Sequence, residues 1–295
     1  MMKGLILINP YSDLPEILYQ PKRLQEEFKK KGVEVDIRRN DFLMSKIVDG
    51  NIKNDVGEYD FCIYLDKDRY NLKMLCDSSD IPVFNSYDAI MDCNDKMMTY
   101  IRLANSGLKM PRTVPGILCH VPELEPSKQF LDDVESYFGY PFIIKECYGS
   151  MGEQVYLVHN REEFEKTFEK VKCTQYLFQE FIDTSMGRDV RVIVIGGKVI
   201  GAIERISNND FRSNVALGGS AVEYPVDDTI RSISEKVARI LDLEYCGLDL
   251  MHDGKGGYYI CEVNSNAFFG GFEKATGMNV AKLYVEYILD KLGRN

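Results

Sequence analysis

The sequence predicts an α/β (α+β) protein in which a leading parallel sheet is followed by two α+β units. Three observations carry that expectation. Strand-like and helix-like patterns alternate through residues 4–84, as parallel βαβ connections require. Later segments set strands beside one another across Gly-rich turns, the habit of antiparallel hairpins. The 295 residues also exceed the size at which one hydrophobic core stops growing, so two or three packed units are expected.

The elements follow in order. GLILI (4–8) reads as a buried strand, Pro21–Lys31 as an amphipathic helix and VEVDIR (33–38) as a second strand. FCIYL (61–65) is a third strand, and IPVF (81–84) is a fourth after a short helical or turn segment. The pattern changes near Asp92. DCNDKMMTYIRLANSGLKMP offers Asp or Asn as an N-cap, helical spacing through Leu103, Gly107 as a stop and Pro111 beyond it. PFIIKEC (141–147) and EQVYLVH (153–159) read as strands, and REEFEKTFEKV (161–171) as a surface helix. LFQEFI and DVRVIVIGGKVIGAIER add strands, then TIRSISEKVARILDL (229–243) a helix. YCGLDLM (245–251) and YYICEVN (258–264), joined by HDGKGG, form a hairpin. No repeat, low-complexity tract or linker marks a boundary. Pattern changes alone divide the chain into 1–91, 92–175 and 176–295.

Composition narrows the function. With 45% hydrophobic and 28% charged residues this is an ordinary globular chain. A net charge of −10 argues against a nucleic-acid surface, and the KKK run at 29–31 suits a solvated helix face. Eight scattered cysteines without a C-x-x-C pair read as buried reduced thiols, not a zinc site or disulfide scaffold. GLILIN is too short for a secretory core, and no apolar stretch suffices to span a bilayer. The expected compartment is the cytoplasm.

Four segments carry chemistry. In the expected hairpin Asp249 and Glu262 are cross-strand neighbours, and Asn264 returns to the same face two residues on. Two carboxylates that close repel each other; with an amide oxygen they form the hard donor set that Mg²⁺ prefers. A solvated face with an exposed turn is the alternative. In IIKECYGSMG (143–152), Lys145 lies on a buried strand before a loop whose glycines can bring backbone N–H groups close to phosphate; a tight hairpin with Lys145 reaching outwards is the other reading. LFQEFIDTSMGRDVR (177–191) supplies a strand end that could grip an adenine ring, and Asp189, which could bind ribose hydroxyls. It could equally be an acidic surface turn. NDFRSNVALGGS (209–220) crowds Arg212, Ser213 and Asn214 into a polar loop, where Arg and Asn can stabilise a phosphate or oxyanion. A mobile loop would have the same composition.

In this order the segments resemble the ATP-grasp superfamily, specifically its RimK-like carboxylate–amine (α-L-glutamate) ligases. The resemblance runs from Asp92 to about Val280 and rests on Lys96, Lys145 with GSMG, QEFI, Asp189 with Arg191, FRSN, and Asp249 with Glu262-Val263-Asn264. It implies an ATP-grasp fold in which two α+β subdomains hold ATP between them. Lys96, Lys145 and the loop residues Gly149, Ser150 and Gly152 would contact the phosphates. Glu180 and Phe181 would hold adenine, Asp189 ribose. Arg212, Ser213 and Asn214 would face the terminal phosphate, with Arg212 and Asn214 in the catalytic role. Asp249, Glu262 and Asn264 would coordinate Mg²⁺, with Mn²⁺ as a substitute. The implied reaction activates a carboxylate as an acyl phosphate, which an amine attacks to give an amide, ADP and phosphate. L-glutamate would be added to a peptide, a protein tail or a small acid. Nucleic acid and membrane are not expected partners, and a homo-oligomer is compatible with the pattern.

The pattern also departs from its relatives. After Glu262-Val263-Asn264 many carry a Ser-Pro-Gly type turn, whereas this chain has Ser-Asn-Ala-Phe-Phe-Gly-Gly. Phe268 and Phe269 there either line an acceptor pocket or belong to the core. Two other functions share the fold: a nucleotide-binding regulatory protein without ligase activity, and a D-alanine–D-alanine type ligase.

Overall fold

The computed structural model describes residues 2–11, 13–150, 152–207, 210–213 and 220–293. The leading unit contains β1 (Lys3–Ile8), α1 (Pro15–Lys30), β2 (Glu34–Arg39), a small hairpin of β3 (Lys46–Val48) and β4 (Asn51–Lys53), β5 (Phe61–Leu65), α2 (Arg69–Ser78) and β6 (Val83–Phe84). Four of these strands form a parallel sheet in the order β2-β1-β5-β6. A parallel sheet is covered on both faces, which is why GLILI and FCIYL are unbroken apolar runs. Ile6 and Ile8 pack with Leu24 and Phe28 of α1, and Leu5 and Leu7 with Leu72 and Leu75 of α2.

Two details differ from expectation. The first helix begins at Pro15, not Pro21, and Pro21 lies inside it. Both prolines could start a helix; the earlier one does, and the later one forfeits a single backbone bond. The helix expected through Leu103 is two, α3 (Tyr87–Asn94) and α4 (Lys96–Leu103). Asp95 leaves the helical region between them and caps the second, its carboxylate accepting from the Met97 and Met98 N–H groups at 2.9 and 3.1 Å.

The central unit comprises β7 (Thr113–Pro115), α5 (Lys128–Phe138), β8 (Phe142–Glu146), β9 (Val155–Val158), α6 (Arg161–Val171) and β10 (Tyr176–Glu180). Its antiparallel sheet runs β7-β10-β8-β9, so the boundary expected at 175–176 falls just before a strand of the central sheet. Phe142, Ile144, Tyr176 and Phe178 face α5 and α6, packed with Phe164 and Phe168. By strand period, Ile143, Lys145 and Gln179 point the other way.

The last unit comprises β11 (Arg188–Ile195), β12 (Lys198–Ile206), β13 (Ser220–Tyr224), α7 (Asp228–Ile240), β14 (Tyr245–His252), β15 (Tyr258–Asn264), α8 (Gly270–Thr276) and α9 (Val280–Lys291). The antiparallel order is β13-β12-β11-β14-β15. One face, with Val190, Val192, Leu248, Leu250 and Val263, is sealed by α7. Part of the other face joins the leading unit's core through Ile193, Ile195, Phe269, Phe272 and α9. That shared core fixes the leading unit against the last sheet. The charged remainder of this face forms the floor of a cleft.

Candidate active site

The floor is built by register. Asp189 stands opposite Arg205, Arg191 opposite Asp249, Asp249 opposite Glu262, and Asn264 opposite Gly247. Counting back from the His252–Tyr258 pair would bring Cys261 opposite Asp249; an irregularity there advances the register by one and restores Glu262. The expected pairing is therefore present, through a bulge and not through hairpin symmetry.

The charge balance differs from expectation. Asp249 is 4% exposed, and its oxygens accept from Arg191 Nε and Nη2, both at 2.7 Å, with Arg205 Nη2 at 3.0 Å. Burial pushes its carboxyl up, but the two guanidiniums outweigh this and hold it below the ordinary range. Burial conversely disfavours the Arg205 charge, and Asp249 and Asp189 together more than restore it. Arg205 Nε donates to Asp189 at 2.7 Å, and Nη2 donates to its second oxygen. The carboxylates thus do not await a metal for neutralisation, because guanidiniums one strand away already supply it. Glu262 is more open, with Lys96 Nζ at 3.5 Å. Both Asp189 oxygens are engaged, so ribose would use their remaining lone pairs.

Lys145 faces this floor. It is 8% exposed, and among the described residues no carboxylate lies within 4.0 Å of its ammonium. Lys96, at the start of α4, donates to the Gly149 carbonyl at 3.2 Å. Gly149 has φ +144°, and a Cβ there would stand 2.3 Å from Gln154 Oε1, so the turn is reserved for glycine. Gly152 also has positive φ, and its carbonyl accepts from Arg212 Nη1. Arg212 is held in turn by Asp210 through Nε at 2.9 Å and Nη2 at 2.7 Å. Ser150 is exposed and Ser213 buried. Asn214 lies outside the described residues. At the far end Glu180 accepts from the Arg112 N–H at 3.1 Å, and Phe181 meets Phe211 edge-on with ring centroids 6.3 Å apart.

All the other expected site residues line one cleft of about 1560 Å³. A smaller cavity of about 520 Å³ on the outer side of α5 and α6 shares no residue with it. The cleft contains groups that the sequence did not single out: Arg205, Phe211, Asn266 and, from the leading unit, Lys67. Arg205 sits in an ordinary strand run and becomes legible only when register sets it against Asp189. Phe268 is 38% exposed and lines the cleft, whereas Phe269 is wholly buried in the core, so the pair divides between the two readings. All eight cysteines are free thiols. Among the described residues no helix is long and apolar enough to cross a membrane.

Among the described residues, no three His, Cys, Asp or Glu side chains converge as a metal cage. Asp249, Glu262 and Asn264 are a different donor set, all oxygen, on one face and open to the cleft. Such a set fits a hard divalent cation that takes its other ligands from phosphate and water.

Antiparallel sheets face each other across the cleft, lysines above and oxygen donors below, an arrangement with room and charge for a nucleotide and a divalent cation. The profile of the RimK-like ATP-grasp domain matches residues 93–288, and the chain belongs to this family. Among similar proteins, beta-citrylglutamate synthase B of Danio rerio is 29% identical over 293 residues, covering 93% of this chain and 71% of that protein. N-acetylaspartylglutamate synthase A of Homo sapiens is 30% identical over 210 residues, 70% of this chain; the match spans 52%, about half, of that relative. The solved structure of the ATP-grasp ligase PsnB with its minimal precursor superposes with a TM-score of 0.72 at 16% identity, covering 99% of this chain and 100% of that one, a likeness of fold.

Proposed function

We propose that the chain is an ATP- and divalent-metal-dependent, ADP-forming ligase that joins L-glutamate to a carboxylic acid. The observation that carries this reading is Lys145, a buried ammonium with no carboxylate within 4.0 Å among the described residues, set above Asp249, Glu262 and Asn264 in one cleft. A buried cation left unpaired is costly, and a polyphosphate supplies the missing anion.

In this reading Lys145, Lys96 and the N–H groups around Gly149, Ser150 and Gly152 hold the phosphates. The Glu180–Phe181 strand end, with Phe211 across from it, holds adenine, and Asp189 takes ribose. Asp249, Glu262 and Asn264 would hold Mg²⁺ or Mn²⁺, which neutralises phosphate charge when bound. The central and last units close on ATP, and the leading unit walls the acceptor side. A carboxylate oxygen of the acid attacks the γ-phosphorus, and ADP leaves. The uncharged amine nitrogen of glutamate then attacks the acyl carbon; the C–N bond forms, inorganic phosphate departs, and the amine's surplus proton passes to solvent. Arg212, with Ser213 and Asn214, faces the transferring phosphoryl group, where a guanidinium stabilises developing charge. No nucleophilic side chain is needed. Citrate and N-acetyl-L-aspartate, named in the products of the relatives above, are the first acids to try, before peptides with acidic tails.

The test is ADP release from ATP·Mg²⁺ with L-glutamate and each acid, followed by mass spectrometry of the product. A glutamyl mass increment is expected. A protein that binds ATP·Mg²⁺ but releases no ADP with any acid and amino acid would instead be a nucleotide-binding regulator.

A further inference from the structure

Lys67 belongs to none of the nucleotide-binding segments, yet it lines the same cleft. It stands just beyond the carboxyl end of β5, the edge of a parallel sheet at which ligands of α/β units collect. Its backbone is clamped. The Lys67 N–H donates to Asp66 Oδ1 at 2.7 Å, and Asp66, 7% exposed, also accepts from Asn9 and Asn40 Nδ2, each at 3.0 Å. Three strand ends, after β1, β2 and β5, thus converge on one carboxylate that sets the direction of Lys67. Among the described residues no carboxylate lies within 4.0 Å of its ammonium. Burial lowers its pKa, nearby Glu262 raises it, and Lys96 lowers it further. Glu262 is already shared with Lys96 at 3.5 Å. More cationic than acidic side chains line the cleft, although the whole chain carries −10. With Lys96 and Lys145 assigned to the phosphates, Lys67, supplied by the leading unit, is left facing a second anion.

Building on the ligase reading, we infer that Lys67 is a specificity-determining residue of the leading unit. It binds a carboxylate of the acid substrate other than the one being activated, so the acceptor is a small acid with at least two carboxylates. The reacting carboxylate reaches the phosphate between the two sheets, while the second is pinned at the sheet edge. An ammonium on a flexible stem, carried by a fixed backbone, serves this purpose because it recognises charge without demanding one fixed geometry.

The experiment is calorimetric titration of the full chain, loaded with a non-hydrolysable ATP analogue and Mg²⁺, with citrate, N-acetyl-L-aspartate and N-acetyl-L-alanine. The wild type is expected to bind one of the first two acids and to prefer it over N-acetyl-L-alanine, which lacks the second carboxylate. Lys67→Gln should weaken that acid by about 10–100-fold, the size of a lost charge-assisted bond, and abolish the preference. Lys67→Arg should retain most of both. The affinity of either variant for the ATP analogue with Mg²⁺, which also reports that it is folded, should match the wild type. Unchanged acid binding by Lys67→Gln overturns the inference. An equal loss of nucleotide affinity overturns it by moving Lys67 onto the phosphates, and so does a wild type that binds neither polycarboxylate. The ligase reading fails separately, when the wild type binds such an acid but releases no glutamate-dependent ADP.

Discussion

Asp249 and Glu262 stand opposite each other and are both assigned to the metal, yet their removal should have very different structural costs. Asp249 is 4% exposed and satisfies two guanidiniums, with contacts at 2.7, 2.7 and 3.0 Å. Asp249→Asn removes that charge at constant volume and leaves the half-buried Arg191 beside a neutral amide. Breaking a buried pair from one side costs about 3–5 kcal/mol. Arg205 keeps Asp189, which places the loss towards the lower end. At about 2–4 °C per kcal/mol, Asp249→Asn should lower Tm by roughly 10 °C. Glu262 has a side chain 29% exposed and a single cation, Lys96, at 3.5 Å. Glu262→Gln should therefore cost no more than about 1 kcal/mol and shift Tm by about 2 °C or less. Both variants should lose Mg²⁺-dependent ADP release, and neither should gain the wild type's thermal stabilisation by an ATP analogue with Mg²⁺. The assays are thermal unfolding without nucleotide or metal, then with both, and ADP release. Equal losses of Tm would refute the argument that guanidiniums, not a metal, neutralise Asp249. Near-normal turnover by Glu262→Gln would remove it from the metal set.

Three further outcomes follow from the same contacts. Lys145→Met should weaken ATP binding at least about tenfold while sparing adenosine, and should not destabilise the empty protein, since it removes an unpaired buried ammonium; calorimetry that finds equal losses for both ligands would place Lys145 away from the phosphates. The loops at 149–152 and 210–213, joined by Arg212 and the Gly152 carbonyl, should gain hydrogen-exchange protection with an ATP analogue and Mg²⁺ together, and much less with the analogue alone; unchanged exchange with the complete ligand would count against closure. Glu27, which accepts from Asn279 and Lys30 and so ties α1 to the start of α9, is lowered from 4.5 to about 2, chiefly by those bonds and against burial. A depressed carboxyl stabilises the fold above its ordinary value and loses that contribution as pH falls towards 2, so Glu27→Gln should flatten acid destabilisation between about pH 4.5 and 2, by at most roughly 3 kcal/mol. Urea titrations at pH 7 and pH 3 check this, and parallel pH profiles for the two proteins would contradict it.

Periodicity made most of the elements legible, and the order of short segments exposed the nucleotide-and-metal pattern, because both are local properties of the chain. What escaped depends on which strand lies beside which. GAIER is an unremarkable strand ending until β12 is paired with β11, when Arg205 meets Asp189 and reaches Asp249. The sequence suggested that Asp249 stands against Glu262, but the structure arrives there through a bulge that no local signal announced. The repulsion expected between those carboxylates was inferred from two strands, whereas the neutralising charges come from the third and fourth. Lys67 was hidden for the same reason: it ends a strand in another sheet, and only the core shared by α1, α8, α9 and the last sheet brings that edge to the cleft. Neutral balance at this site is thus a property of register and unit packing. It follows that deleting Cys261, the extra residue of the bulge, should leave Glu262 opposite Asp249 in an unbroken ladder and keep the Mg²⁺-dependent stabilisation by an ATP analogue; loss of that stabilisation would show that the bulge itself, and not the pairing alone, shapes the metal site.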